Sequence, residues 1–267
     1  MNTLARLVAF CGGMTFLAGT IGMAAAAEPL VIATSPSVKA PVEALGRLFE
    51  ASHPDVNVLV YVDNGLDMRR IIAAMENNLT GRYALAGKGP IHLVAPGGDE
   101  LIDRLQMRYY VLPGTARTYI VEQLVLVVPE QLVEAPDSFE EMGSKVKRLA
   151  VADPERTVLG QQTQGLLRSL GYRGQLDVAT DGRGVLDHLL SGQADAGVIF
   201  GHEAVKEQER VRVVAVAGQG YQQRIHSMAM ERYCPNRSLC EQFLAFVQSP
   251  GAQKVLKSLG YAIPAGR

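Results

Sequence analysis

Apolar runs rich in valine and isoleucine alternate along this chain with amphipathic segments, and this alternation constrains the fold more than any other feature. Clear runs are LVIATS at 30–35, VNVLVYV at 56–62, RLAVADP at 148–154 and AGVIF at 196–200. After the first run, apolar residues from Val38 to Phe49 recur at helical spacing. Strands that alternate with helices build largely parallel sheets, so the pattern predicts an α/β fold.

Two further runs bear on the organisation of the chain. The segment YIVEQLVLVVP at 119–129 is β-branched and uninterrupted, which predicts one long strand. The segment VRVVAVA at 211–217 is the last clear strand in the sequence. Two helices are predicted after it, over LCEQFLAFVQS and PGAQKVLKSLG.

The first 27 residues form a separate segment. Arg6 supplies a positive charge, an apolar stretch follows it, and a run of alanines precedes Glu28. This pattern is typical of a secretory signal peptide, cleaved here after Ala27, and we expect a periplasmic protein. An uncleaved membrane anchor is the alternative, whereas bulky Phe10 disfavours a lipoprotein signal at Cys11.

Removal of this leader leaves Cys234 and Cys240 as the remaining cysteines. An even pair in an exported chain favours a disulfide. The alternative is that both side chains are small, unpaired apolar residues.

Composition and motifs argue against several function classes. The formal net charge of −1 provides no basic field for nucleic acid. The five histidines are scattered, and no nucleophile elbow, Walker loop or dinucleotide fingerprint occurs. His202 near the end of AGVIF is interpreted as a polar residue at a helix start. We therefore expect neither an enzyme nor a cofactor or metal-cation site.

The turn TSPS at 34–37 places two hydroxyls where a strand ends and a helix begins. A helix amino terminus exposes unpaired N–H groups and favours negative charge, so Ser35 or Ser37 beside it can help to hold an oxyanion. Serine is equally typical of a helix cap. The local sequence leaves capping and ligand binding open for Ser37.

Three other strand ends carry similar turns. They contain Asn64 with Gly65, Thr157 before a helix, and Gly182, where glycine allows close backbone approach. Because the carboxyl ends of parallel strands share one edge of a sheet, these turns and the serines are predicted to lie around one site.

Several stretches together resemble the periplasmic molybdate-binding proteins, the solute receptors of ABC importers, over nearly the whole mature chain. The similarity is carried by VIATSPSVKAPVEALGRLFEASHPDVNV, LAVADPERTVLGQQTQGLLRSLG, GRGVLDHLLSGQADAGVIFGHEA and the ending FLAFVQSPGAQKVLKSLGYAIP. The third of these is the most specific.

The resemblance implies a type II periplasmic binding protein, in which two α/β lobes are joined by two crossover strands and close on a ligand between them. Lobe I is then expected at 28–118 plus 213–267, and lobe II at 119–212. The implied function is capture of molybdate or tungstate, as the oxyanion, for a membrane permease. We expect a monomer without a cofactor.

The same resemblance places the ligand site residue by residue. Ser37 matches the serine of the family's first turn, and Ser35 is its neighbour. The hydroxyls expected at two other positions are replaced here, since the second turn reads Asn64 and Gly65 and the family's tyrosine is Phe200. The remaining expected positions offer backbone N–H groups or a hydroxyl at Thr157, Leu159 and Gly182.

Basic residues near these turns have two interpretations. They either face the cleft and compensate for the replaced hydroxyls, or they are solvated charges on helix surfaces. The residues concerned are Lys39, Arg69, Arg70, Arg156 and Arg183.

The replaced donors keep other functions open. The ligand is then another oxyanion or a small organic acid. A diverged binding-protein fold that acts as an accessory or sensor of a periplasmic partner is the second class, and an enzyme on this scaffold is the third.

Overall fold

A computed structural model describes residues 26–62 and 90–264, and the elements below belong to these ranges. The strands are β1 (Glu28–Thr34), β2 (Val56–Val62), β3 (Leu93–Ala95), β4 (Arg117–Glu122), β5 (Leu124–Pro129), β6 (Arg148–Ala152), β7 (Gln175–Ala179), β8 (Ala196–Phe200), β9 (Val211–Val216) and β10 (Arg224–Met230). The helices are α1 (Lys39–Ser52), α2 (Asp99–Met107), α3 (Met142–Lys145), α4 (Val158–Ser169), α5 (Gly182–Leu190), α6 (Gly201–Lys206), α7 (Arg237–Phe246) and α8 (Pro250–Ser258).

These strands form two five-stranded sheets. The first has the order β2-β1-β3-β10-β4, and the second has the order β7-β6-β8-β5-β9. In each sheet the consecutive α/β units pair in parallel, as β1 does with β2 and β3, and as β6 does with β7 and β8. The strands β10 and β5 run antiparallel to their neighbours. The α/β class is confirmed, with sheets that are mixed rather than purely parallel.

The chain passes between the sheets twice. The single long strand predicted at 119–129 is wrong, because it is divided at Gln123 into β4 of the first sheet and β5 of the second. The return runs from β9 through 217–223 into β10. The chain thus changes sheet at Gln123 and within 217–223, whereas the expected lobe boundaries are 119 and 213. The lobe boundaries as such stay a prediction.

The strand β10 lies in the middle of the first sheet, although the sequence placed the last clear strand at 211–217. Its segment RIHSMAM has Ile225 as its only β-branched residue, so its intrinsic preference for strand is weak. It is a strand because β3 and β4 supply hydrogen-bonding partners on both sides. Tertiary pairing here overrides local propensity.

Each sheet has its own apolar core. In the first, Phe49 of α1 packs edge-on against Phe243 of α7, with ring centroids 5.0 Å apart. In the second, Val185 and Leu189 of α5 are buried against the strands. Because each sheet has a core of its own, each forms a separate wall of the cleft together with the helices that begin at its edge.

Cys234 and Cys240 form a disulfide that closes the short loop before α7, which confirms the expected pairing. Both residues are buried in the core of the first sheet. Within the described ranges, no helix combines the length and apolarity needed to cross a bilayer.

Candidate ligand-binding site

The serine turn, residues 34–37, follows β1 directly. Thr34 is buried, and its hydroxyl donates to the carbonyl of Ala95 over 2.9 Å, which fastens the end of β1 to the end of β3. Ser35 is 5% exposed, whereas Ser37 in the following 3-10 turn (Pro36–Val38) is exposed. The two serine hydroxyl oxygens lie 2.9 Å apart and are hydrogen-bonded.

Neither serine caps a helix. No side-chain capping bond is made at Ser35, which precedes the 3-10 turn, or at Val38, which precedes α1. The capping interpretation of Ser37 is therefore wrong in this structure. The hydroxyls of the serine turn remain available to a ligand.

Gly97 and Gly98, after β3, complete this wall of the cleft. Gly97 has φ +88°, and a Cβ there would collide with the Ser35 hydroxyl and lie 2.8 Å from the Ser37 hydroxyl. Glycine thus lets the backbone approach both serines. The Arg224 guanidinium donates to the Gly97 carbonyl over 2.7 Å and fixes this loop. Neither glycine is among the predicted site residues, although PGGD follows a buried strand in the same way as TSPS.

The opposite wall begins at α4, where the Thr157 hydroxyl is already hydrogen-bonded within the chain. Thr157 accepts from the N–H of Gly160 over 2.9 Å and donates to the carbonyl of Asp153 over 2.8 Å. It therefore caps α4. In the part of the chain that the structure describes, the N–H groups of Val158 and Leu159 have no hydrogen-bond partner. The backbone of the first turn, rather than the Thr157 hydroxyl, is the donor that α4 offers.

Gly182 and Phe200 lie together at a carboxylate. The N–H of Phe200 donates to Glu203 Oε2 over 3.1 Å, and a Cβ on Gly182 would collide with the same carboxyl group. Asp181 caps α5 by accepting from the N–H of Gly184 over 2.9 Å. Burial raises the pKa of Glu203 above its ordinary value. A carboxyl group thus lies where the resemblance places a backbone donor at Gly182 and, in the family, a tyrosine hydroxyl at Phe200.

Of the five basic residues predicted near the site, the three that the structure describes lie on helix surfaces or in a turn. Lys39 pairs with Glu43 over 3.7 Å, and Arg183 pairs with Asp187 over 3.1 Å. Arg156 is exposed in the turn before α4. The remaining site and basic residues lie outside the described residues, namely Asn64, Gly65, Arg69 and Arg70.

A cavity of about 670 Å³ lies between the two sheets. Its walls are the first two turns of α2 and of α4, and residues 222–225 before and within β10 close one side. Arg224 is common to this cavity and to the Gly97 loop. The cavity therefore lies next to the Gly97 loop, with the Arg224 side chain between them.

Buried ionisable groups lie where the chain crosses between the sheets. Glu122 and His226 are almost fully buried, with Oε1 and Nε2 3.4 Å apart. Burial acts to raise the pKa of Glu122, but its interaction with His226 outweighs this and lowers it. Burial lowers the pKa of His202 to about 4, and the ring stacks on Tyr261 at 5.0 Å between centroids. This cluster packs α6 of the second sheet against the end of the chain.

No group of three histidine, cysteine or acidic side chains within 26–62 and 90–264 is placed to hold a metal ion.

The model of the bacterial extracellular solute-binding protein family matches residues 30–262 of this chain. The molybdate-binding protein ModA of Mycobacterium tuberculosis is 21% identical over 262 residues, covering 98% of this chain and 94% of ModA.

Two solved structures share the fold. The substrate-binding domain of a putative molybdenum ABC transporter from Clostridium difficile superposes with a TM-score of 0.78 at 19% identity, over 90% of this chain and 100% of that one. The Azotobacter vinelandii periplasmic molybdate-binding protein superposes with a TM-score of 0.58 at 17% identity, over 88% and 100%.

Proposed function

Because the chain belongs to the bacterial extracellular solute-binding protein family, we propose that it captures a small oxyanion between its two lobes and presents it to the membrane permease of an ABC importer. Molybdate or tungstate is the first candidate, as in the similar proteins named molybdate-binding. The protein then acts in the periplasm as a monomer after loss of residues 1–27, and its role is binding rather than catalysis.

The observation that carries this proposal is the serine turn. Its two hydroxyls meet at 2.9 Å beside Gly97, and neither caps a helix. Hydroxyl and backbone N–H donors hold an oxyanion without neutralising it, and such bonds to a charged group are stronger than neutral ones. The N–H groups of Val158 and Leu159 supply donors of the same kind from the second sheet.

One observation favours a ligand other than molybdate. The Glu203 carboxylate at Gly182 and Phe200 repels a fully ionised oxyanion but accepts a hydrogen bond from a ligand that carries a proton or another donor. The second candidate function is therefore solute binding with a protonated oxyanion or a small organic acid as the ligand.

Isothermal titration of the exported protein with molybdate, tungstate, sulfate and phosphate tests the proposal. We expect saturable binding of at least one of them, and Ser37→Ala should weaken it about tenfold through loss of one charge-assisted hydrogen bond. Ser144→Ala, which removes an exposed hydroxyl from α3, is the matched control and should leave affinity unchanged. Absence of heat with all four anions, or unchanged affinity in Ser37→Ala, contradicts oxyanion binding at the serine turn.

A further inference from the structure

The cavity between α2 and α4 is far larger than a tetrahedral oxyanion requires. At about 670 Å³ it has the size of pockets that bury small organic molecules, roughly 300–1,000 Å³. Arg224 lines the cavity and donates to the Gly97 carbonyl over 2.7 Å, so the cavity and the loop beside the serine turn share this side chain. A ligand anchored on Ser35 and Ser37 would pass the Arg224 side chain to extend into this space along α2.

The α2 wall of this cavity is acidic. Asp99, Glu100 and Asp103 line it, and Arg224 is the basic residue among the described residues that line it. Asp99 and Glu100 lie in the first turn of α2, where the helix dipole stabilises carboxylates. Asp103 lies beyond that turn, so its place on this wall has no such explanation. The excess negative charge disfavours an anion here and favours a cation.

The α4 wall holds a buried acceptor that lacks a partner. Gln162 lines the cavity and is 8% exposed, and its Oε1 makes no hydrogen bond to any residue of the described chain. A buried polar atom left unpaired costs free energy. A donor on a bound ligand would remove that cost. Gln161, Gln222 and Gln223 bring further amides to the same cavity.

We propose that this cavity is a second subsite, which takes the positively charged, hydrogen-bond-donating arm of an organic ligand whose anionic group lies on the serine turn. An ammonium or amidinium group would donate to Gln162 Oε1 and face the carboxylate of Asp103. An organic cation fits better than a metal ion, because the described acidic residues form no group placed to hold a metal. The anionic half of the ligand rests on the proposed function.

Such a ligand is zwitterionic, and this agrees with both halves of the cleft. Its anionic group meets the hydroxyls of Ser35 and Ser37, while its cationic group offsets the α2 carboxylates that would repel a simple anion. Both sheets then contact one molecule, and the affinity for that molecule depends on both of its charges.

Titration calorimetry with O-phosphoethanolamine and with ethyl phosphate tests the subsite. The two probes share the phosphoryl group and the two-carbon chain, and only the first carries an ammonium group. We expect O-phosphoethanolamine to bind at least about tenfold more tightly, the effect of one charge-assisted hydrogen bond. Equal affinity for the two probes, or no binding of O-phosphoethanolamine, overturns the inference.

Variants locate the effect. Asp103→Asn and Gln162→Met should each reduce the ratio of the two affinities severalfold while leaving ethyl phosphate affinity within about twofold. Glu241→Gln, at an exposed position of α7, makes the same charge change outside the cavity and should leave the ratio of the two affinities unchanged. An unchanged ratio in both cavity variants assigns any ammonium preference elsewhere and overturns the subsite.

Binding of the inorganic anions distinguishes failure of the subsite from failure of the proposed function. If molybdate or phosphate binds in a Ser37-dependent way and the organic probes do not differ, the subsite fails and the proposed function stands. If O-phosphoethanolamine alone binds, dependent on both Ser37 and Asp103, the subsite is supported and simple oxyanion transport fails.

Discussion

The helices that line the two walls of the cleft differ in how polar side chains are used at their amino termini. On the second sheet, the starts of α4, α5 and α6 each use a polar side chain. Thr157 caps α4, Asp181 caps α5, and Glu203 folds back to the N–H of Phe200 at the start of α6. On the first sheet, Ser35 and Ser37 make no cap and bond to one another. Side chains of the same kinds at the same kind of junction thus cap helices on one wall and make no cap on the other.

The strongest test of this difference is Gly97→Ala. A Cβ at Gly97 collides with the Ser35 hydroxyl and crowds Ser37, so both donors are displaced. We expect anion affinity to fall about a hundredfold, the effect of losing two hydrogen bonds at roughly tenfold each. Titration calorimetry measures this. Gly114→Ala is the matched control, since Gly114 also has positive φ, +78°, but nothing within 4 Å.

Both glycine variants should lose about 1 kcal/mol of stability from backbone strain, measured by urea unfolding. The specific effect of Gly97→Ala is the loss of binding beyond that strain. Binding as tight as in the wild-type protein would show that the serine turn does not hold the ligand.

The second test compares how much the free energy of unfolding falls when a hydroxyl is removed from each wall. Thr157→Ala should lower the free energy of unfolding by about 1 kcal/mol, because it removes the cap of α4. Ser37→Ala should lower it by less than about 0.5 kcal/mol, since Ser37 is exposed and its hydroxyl bonds only to that of Ser35. Thr157→Ser keeps the cap and is the control. Equal destabilisation by Ser37→Ala and Thr157→Ala would mean that the serine turn is structural after all.

The smallest expected effect concerns Glu203 and pH. Burial raises its pKa above the ordinary value of 4.5, so the unfolded chain ionises first as pH rises. Stability from this group is thus fully present at low pH and falls as pH rises from 4.5 through the raised pKa. Glu203→Gln cannot ionise and keeps an acceptor for the N–H of Phe200. Its stability relative to the wild-type protein should therefore grow between pH 4.5 and 7, as measured by urea unfolding.

The same variant removes a negative charge from the cleft, and we expect a severalfold gain in molybdate affinity at pH 7. Glu134→Gln, at an exposed residue of the loop after β5, is the charge-matched control. A pH profile of Glu203→Gln parallel to that of the wild-type protein would contradict the pKa argument.

Much of the fold was predictable because local residue patterns determine its secondary structure. The β-branched runs became β1, β2, β6 and β8, since such side chains suit a buried pleated surface. The pair Cys234 and Cys240 was predictable because six residues of chain bring the thiols together. The strand β10 was not, since RIHSMAM becomes a strand only through neighbours remote in sequence.

The candidate site was predictable only in part. Ser35 and Ser37 were selected, but their freedom from capping depends on backbone angles that no motif encodes. Thr157 was selected as well, although its hydroxyl is engaged by Gly160 and Asp153. Gly97 was overlooked because its importance lies in its approach to serines about 60 residues earlier in the chain.

The sequence by itself determined that this chain alternates strands with helices and that polar turns end its strands. These features depend on side-chain periodicity and on residues a few positions apart. Only the tertiary structure decided which turn donors stay free, that Glu203 lies at Gly182, and that α2 and α4 enclose an acidic, amide-lined cavity. Those outcomes depend on distances between residues far apart in the chain, and only the packing of two sheets fixes such distances.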